Sequence, residues 1–215
     1  IARDSRNTEL HERRIALLRR KGELPALERA YESLIRAAPA EARYGLELVD
    51  ELLRYGHLSR GMKRLDRVVA QHRRDPGVWQ RAISLLVRYA PGADGGRVER
   101  AYRVLLKLEP REPAHLVSLG ESLWSTGDRP GALKLWKRLT RLGSRPGLGH
   151  LLYAEVLADH QLESEAREAF EAALRASPTD ATIIETAARW FESQSRSMDR
   201  ARAAELWSTL LDLGT

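Results

Sequence analysis

Few side chains in this sequence stand at spacings that could do chemistry. His11-Glu12 opens like the helical H-E-x-x-H motif, in which two histidines one turn apart hold zinc and the glutamate acts as base. The fifth position is Ile15, so the second ligand is missing. Gly120-Glu121-Ser122-Leu123 begins like a nucleophile elbow and then lacks the closing glycine. His57, His72, His115, His150 and His160 are scattered along the chain and read as solvated or capping histidines. The carboxylate pairs Glu163/Glu165 and Glu168/Glu171 share a helix with Arg167 and Arg175, where they are ordinary surface charge. A glycine-rich run, APGADGG at residues 90 to 96, lacks the Gly-Lys-Ser/Thr that a phosphate-cradling loop needs, and reads as an elongated turn between helices. The sequence contains no cysteine, which removes disulfides, thiolate metal sites and cysteine nucleophiles. The expectation is a protein with no catalytic residues, no metal site and no cofactor.

The elements that carry these residues are all helical. With 215 residues the chain is long enough to bury a substantial core. Hydrophobic residues make up 43%, which suits a folded protein, while 31% charged residues and a mean hydropathy of -0.45 suit one bathed in water. No apolar run is long enough to cross a bilayer, so no membrane insertion is expected of this segment. Ile1 stands where an initiator methionine would, and the ending LLDLGT is abrupt, so a segment of a longer polypeptide is expected. The net charge of +6 is uneven: residues 1 to 112 hold 24 basic and 16 acidic side chains, and residues 113 to 215 hold 12 and 14.

The helices recur. Residues 147 to 180 align without gaps on residues 113 to 146, a period of 34. Leu119-Gly120 falls on Tyr153-Ala154, Leu123 on Leu157, Ala132 on Ala166, and Trp136 on Phe170. Leu85, Tyr89, Val98, Tyr102 and Pro110 hold the matching places one period earlier. Leu18, Gly22, Leu27, Tyr31, Leu34 and Pro39 keep the register in residues 8 to 41, and Leu48, Leu52, Gly56, Gly61, Leu65 and Pro76 keep it in 42 to 78. The last unit begins at Ala181 and inserts about three residues around SQSRS before Ala203 and Trp207 resume the pattern. Each unit is a pair of helices with one apolar stripe. Small residues at Gly120, Ala132, Ala154 and Ala166 let two backbones approach. Gly22, Gly56 and Gly127 fall where a left-handed C-cap is wanted, and Ser59, Asp128 and Ser177 fall where N-caps are expected.

A period of 34 with a small residue, an aromatic four residues on and a late proline resembles the tetratricopeptide repeat. The resemblance covers nearly the whole chain. It implies an all-α, right-handed superhelical solenoid of six repeats, at 8–41, 42–78, 79–112, 113–146, 147–180 and 181–215, forming a single domain. It also implies that first helices line a concave groove and that second helices lie outside. On the first helices a second apolar stripe runs through Leu46, Leu53, Ile83, Val87, Ala90, Ala114, Val117, Trp124, Leu148, Leu151 and Ala158. Asp50, Glu121, Glu155 and Glu185 interrupt it. A surface helix needs only one apolar face, so the second stripe either lines a partner-binding groove or packs adjacent first helices together.

The groove reading, centred on Trp124, implies another protein as partner, presenting an amphipathic helix or an extended segment with Arg or Lys beside its apolar anchors. The lysine and asparagine clamp with which part of the family holds a peptide carboxylate is replaced here by Glu12, Ala16 and Asp50. Arg60, Lys63, Arg64 and Arg67 form a basic face on one second helix, a candidate patch for an acidic partner. No aromatic residues interleave with it, which argues against nucleic acid. The arginine-rich, cysteine-free style is similar to the repeats of bacterial envelope scaffolds, including exopolysaccharide-export proteins, and favours the periplasm over the cytoplasm. A regulatory array attached to a signalling or enzymatic domain is the alternative.

Overall fold

A computed structural model describes residues 8 to 90 and 95 to 214. The glycine-rich turn singled out above lies largely outside the described residues. The described residues form helices α1 (Thr8–Lys21), α2 (Leu24–Ala37), α3 (Ala42–Arg54), α4 (Leu58–Gln71), α5 (Pro76–Tyr89), α6 (Gly95–Leu108), α7 (Pro113–Ser125), α8 (Arg129–Trp136), α9 (Leu148–Asp159), α10 (Glu163–Ala176), α11 (Ala181–Ser193) and α12 (Ser197–Leu213). A short 3-10 helix, Lys137–Arg141, follows α8. No strand occurs among the described residues. Consecutive helices pair as α1 with α2 through α11 with α12, so the helix-turn-helix unit read from the period is the unit of the fold.

The helix boundaries follow from the residues at them. Gly22, Gly56 and Gly127 have φ of 72°, 79° and 92°, the left-handed conformation that closes α1, α3 and α7 at no Cβ penalty. Asp128 caps α8 as expected, accepting from the Gly131 amide at 2.9 Å. Ser59 and Ser177 are not N-caps. α4 starts at Leu58 behind His57, and Ser177 closes α10 with its hydroxyl donating to Pro146 O at 2.6 Å. Three acidic residues cap instead: Asp75 for α5, Glu112 for α7 and Asp180 for α11. Pro76 and Pro113 occupy the first turns of their helices, where a missing amide costs nothing.

The chain divides into two compact units, Ile1–Pro110 and Arg111–Thr215. In the first unit, Leu27, Ala30, Tyr31, Leu34, Leu48 and Leu52 form one core across α2 and α3, and Val49, Leu53, Met62, Leu65, Val78 and Leu85 form the next across α3, α4 and α5. In the second, Ala154, Leu157, Ala166, Phe170, Ala173, Ile184, Ala187 and Phe191 form one core from α9 to α11, with Ala203 and Leu206 of α12 joined to it. Small residues stand where backbones meet large side chains. A Cβ on Gly120 would run into the indole of Trp136, which is fully buried. α8 is shorter than the matching second helices. Beyond Trp136 the chain tightens into the 3-10 turn, and the Leu139 and Leu142 carbonyls press against Gly149 so closely that no Cβ would fit there.

Candidate functional site

Successive repeats are tied together by charge as well as by apolar packing. On the second helices, Arg60 donates to Glu28 at 2.5 Å, Arg64 to Glu32, Arg97 to Asp66 at 2.7 Å, and Arg202 to Glu171 at 2.8 Å. Arg167 pairs with Asp199, whose carboxylate is fully buried. On the first helices, Arg19 donates to the buried Glu51 at 2.5 Å, Arg43 to Glu12 at 2.8 Å, and Arg81 to Asp50 at 3.1 Å. Partners in these pairs stand 31 or 32 residues apart, a little less than one period, because the two members occupy different positions of their respective repeats. Burial raises the Tyr31 hydroxyl, and the charge of Glu47, to which it donates at 2.9 Å, raises it further.

This ladder changes the reading of the basic face. Arg60 and Arg64 are neutralised by α2, while Lys63 and Arg67 stay exposed with no ion-pair partner among the described residues. The four cations are therefore half stacking device and half open charge. His11, which opens the incomplete zinc motif, is buried with neither ring nitrogen hydrogen-bonded among the described residues, and Glu12 is turned to Arg43 and Tyr44. No group of three side chains able to hold a metal occurs among the described residues.

The second stripe of the first helices divides in the same way. In the first unit Leu46 and Leu53 lie inside the core with Met62 and Leu65, and Ile83 packs on Ala101 and Leu105. These three join helices and offer no surface. Val87 is 58% exposed, and Asp50 is half-buried, accepting from Tyr89 Oη at 2.7 Å as well as from Arg81. In the second unit Leu151 is buried in the core and Leu148 packs against it. Trp124 is mostly covered: its ring centroid lies 5.5 Å from that of Trp136 and 4.6 Å from that of His160, and the Arg129 guanidinium sits 4.9 Å from it. His160 stacks on Trp136 at 4.6 Å and its Nε2 meets Glu121 Oε1 at 2.9 Å. Trp136 in turn donates from Nε1 to Val117 O at 3.2 Å. Trp124 thus belongs to an aromatic stack that joins α7, α8 and the end of α9.

What remains open on this side is a cleft of about 440 Å³. Val117 of α7, Leu152, Glu155, Val156 and Asp159 of α9, and Thr186 and Trp190 of α11 line it, with Phe170 of α10 at its base. Val117, Glu155 and Ala158 are the three residues of the second stripe that the structure brings together here. Burial raises the Glu155 carboxyl above its ordinary range, and the nearby charge of Asp159 raises it further. Leu152, Val156, Asp159, Thr186 and Trp190 were not singled out in the sequence. A signal was present: Leu152 and Thr186, and Val156 and Trp190, are each one period of 34 apart, so one wall repeats the other.

Paired helices stacked at this period define a helix-turn-helix repeat protein. Solved structures with the same fold are tetratricopeptide-repeat proteins. The C-terminal part of a TPR repeat-containing protein from Cytophaga hutchinsonii is 13% identical, covers 99% of this chain and 85% of its own, and superposes with a TM-score of 0.57. A tetratricopeptide repeat protein from Parabacteroides merdae is 16% identical over 95% of this chain and 79% of its own, with a TM-score of 0.51. The MamA protein is 16% identical over 83% of this chain and 95% of its own, at 0.50. No protein-family model and no curated protein sequence matches the chain.

Proposed function

We propose that this protein is a non-catalytic tetratricopeptide-type scaffold that binds a segment of another protein on the first-helix side of its second unit. The observation that carries this reading is the cleft between α7, α9 and α11, where apolar and aromatic side chains line a space with two carboxylates and no side chain of the described residues fills it. Elsewhere on the first helices of both units, the apolar stripe is largely consumed by packing. A partner segment would gain affinity by covering Leu152, Val156 and Trp190, and orientation from the carboxylates. The arginine-rich, cysteine-free composition supports placing the scaffold in a bacterial envelope assembly such as exopolysaccharide export. A full-length sequence with a signal peptide and a β-barrel segment would agree with that placement, and a kinase or ATPase domain would contradict it.

The binding reading is tested by selecting a random peptide library on the protein and repeating the measurement with Leu152→Glu, which puts a charge on the cleft wall. Enriched peptides should bind the native protein and lose about tenfold or more in affinity with the variant, while its thermal midpoint is kept. Peptides that bind both proteins equally would place the partner surface elsewhere.

A further inference from the structure

Each unit carries one further polar contact between neighbouring first helices, with its partners 39 residues apart. Asp50 of α3 accepts from Tyr89 at the end of α5, and Glu121 of α7 meets His160 at the end of α9. The next rung would join Glu155 of α9 to Gln194 at the end of α11. It is not made. Tyr89 is the last residue of its helix and His160 caps its own with near-helical angles (φ -92°, ψ 10°), so both side chains reach back to the preceding first helix. Gln194 leaves its helix in an extended conformation (φ -80°, ψ 149°), and its amide donates to Trp190 O at 3.1 Å and Ser193 Oγ at 3.0 Å.

Glu155 is therefore a half-buried carboxylate with no hydrogen-bond or ion-pair partner among the described residues. Asp159, one turn further along α9, is a second carboxylate of the cleft lining, exposed and likewise without a hydrogen-bond or ion-pair partner among the described residues. Like charges at this helical spacing repel, and here an apolar wall screens them poorly. Arg167, whose guanidinium lies 5.8 Å from the Trp190 ring, is committed to Asp199. The chain's own arginines pair the inter-repeat carboxylates Glu28, Glu32, Asp66, Glu171 and Asp199, and neither Glu155 nor Asp159 has such a partner among the described residues. The charge of the surroundings agrees, since residues 113 to 215 carry two more acidic than basic side chains while residues 1 to 112 carry eight more basic ones.

We propose that the cleft between α9 and α11 receives an arginine or lysine side chain from the partner segment, with Glu155 and Asp159 accepting its N–H groups and Leu152, Val156 and Trp190 covering its aliphatic stem. The inference rests on the binding reading above and adds the chemistry of the occupant. An incoming guanidinium would complete the missing rung from outside the chain, as Arg81 and Tyr89 together complete the one at Asp50. The stem of an arginine or lysine is apolar, which suits the mixed lining of the cleft.

The test uses peptides enriched from the random library on the full chain, resynthesised with each basic residue replaced by norleucine. One basic position should dominate, its replacement weakening binding about tenfold or more, and Glu155→Gln combined with Asp159→Asn should weaken the parent peptide to the same degree. With the norleucine peptide, the double variant should cause no further loss, because both changes remove one contact. The double variant should melt at or above the native midpoint, since it removes a like-charge pair. Peptides that are sensitive to Leu152→Glu but indifferent to their own basic residues would overturn this inference and leave the binding reading standing. Failure to enrich any peptide would overturn both.

Discussion

Trp124→Ala decides whether the aromatic stack at α7 is structure or surface. Trp124 is mostly covered, lies against Trp136 and His160, and carries Arg129 on its outer face. Truncating a buried tryptophan costs about 3–5 kcal/mol. Because part of this indole faces water, the lower end applies, and that figure includes ring contacts worth about 0.5–1.5 kcal/mol beyond their area. The expected loss is thus about 3 kcal/mol, read as a lowered midpoint in urea denaturation followed by tryptophan fluorescence and by circular dichroism. Trp136→Ala should cost more, since that ring is fully buried and its N–H bond to Val117 O would be lost too. A double-mutant cycle of Trp124→Ala with His160→Ala should show coupling of about 0.5 kcal/mol or more, because the two rings touch. A Trp124→Ala protein that melts normally yet loses peptide affinity would refute this reasoning and return Trp124 to the binding surface.

Three further perturbations follow from particular contacts. Glu155 holds its proton more tightly in the folded protein than in the unfolded chain, where the ordinary value is 4.5. Its contribution to stability is thus fully present below that value and is lost as pH rises through the raised folded value. Glu155→Gln should consequently stabilise the protein by about 0.5 kcal/mol at pH 7 and lose that advantage in acid, and a destabilised variant at neutral pH would mean that the carboxylate has a donor. Changing Arg60, Lys63, Arg64 and Arg67 together to glutamine should cost up to about 1 kcal/mol, because the pairs with Glu28 and Glu32 are lost, and a stabilised variant would show those pairs to be idle. Gly120→Ala should cost about 1–3 kcal/mol by forcing the Trp136 indole to move, measured against Ser122→Ala on the same helix as a control.

Most of the fold was legible because the repeat is written in side-chain volume. Gly120 opposite Trp136, and Ala154 with Ala166 beside Phe170, are size constraints that recur at the period and need no knowledge of neighbouring repeats. The left-handed glycines were legible for the same local reason. The candidate site was legible only in part, since it depends on how one repeat is set against the next. Leu46, Leu53, Ile83 and Leu151 look like a second face on a helical wheel, and the stacking of helices buries them. The charge partners of Arg60 and Arg64 lie in another repeat at a step of 32 residues, a spacing that has meaning only once the stacking geometry is known. Trp190 belongs to the cleft because α11 is turned toward α9, which nothing in its own helix announces. The two serines expected at helix starts are displaced by one local neighbour each: α11 begins behind Asp180, three residues past Ser177, and α4 begins behind His57, two residues before Ser59.

Hydrogen exchange of the full chain, with and without a peptide enriched from the library, tests the central claim most directly. Binding between the first helices of the second unit should slow exchange in α9 and α11, at residues 148 to 159 and 181 to 193, with the largest change around Glu155 and Trp190. Protection confined to α4, residues 58 to 71, where the exposed Lys63 and Arg67 stand, would contradict the account and place the partner on the second-helix face.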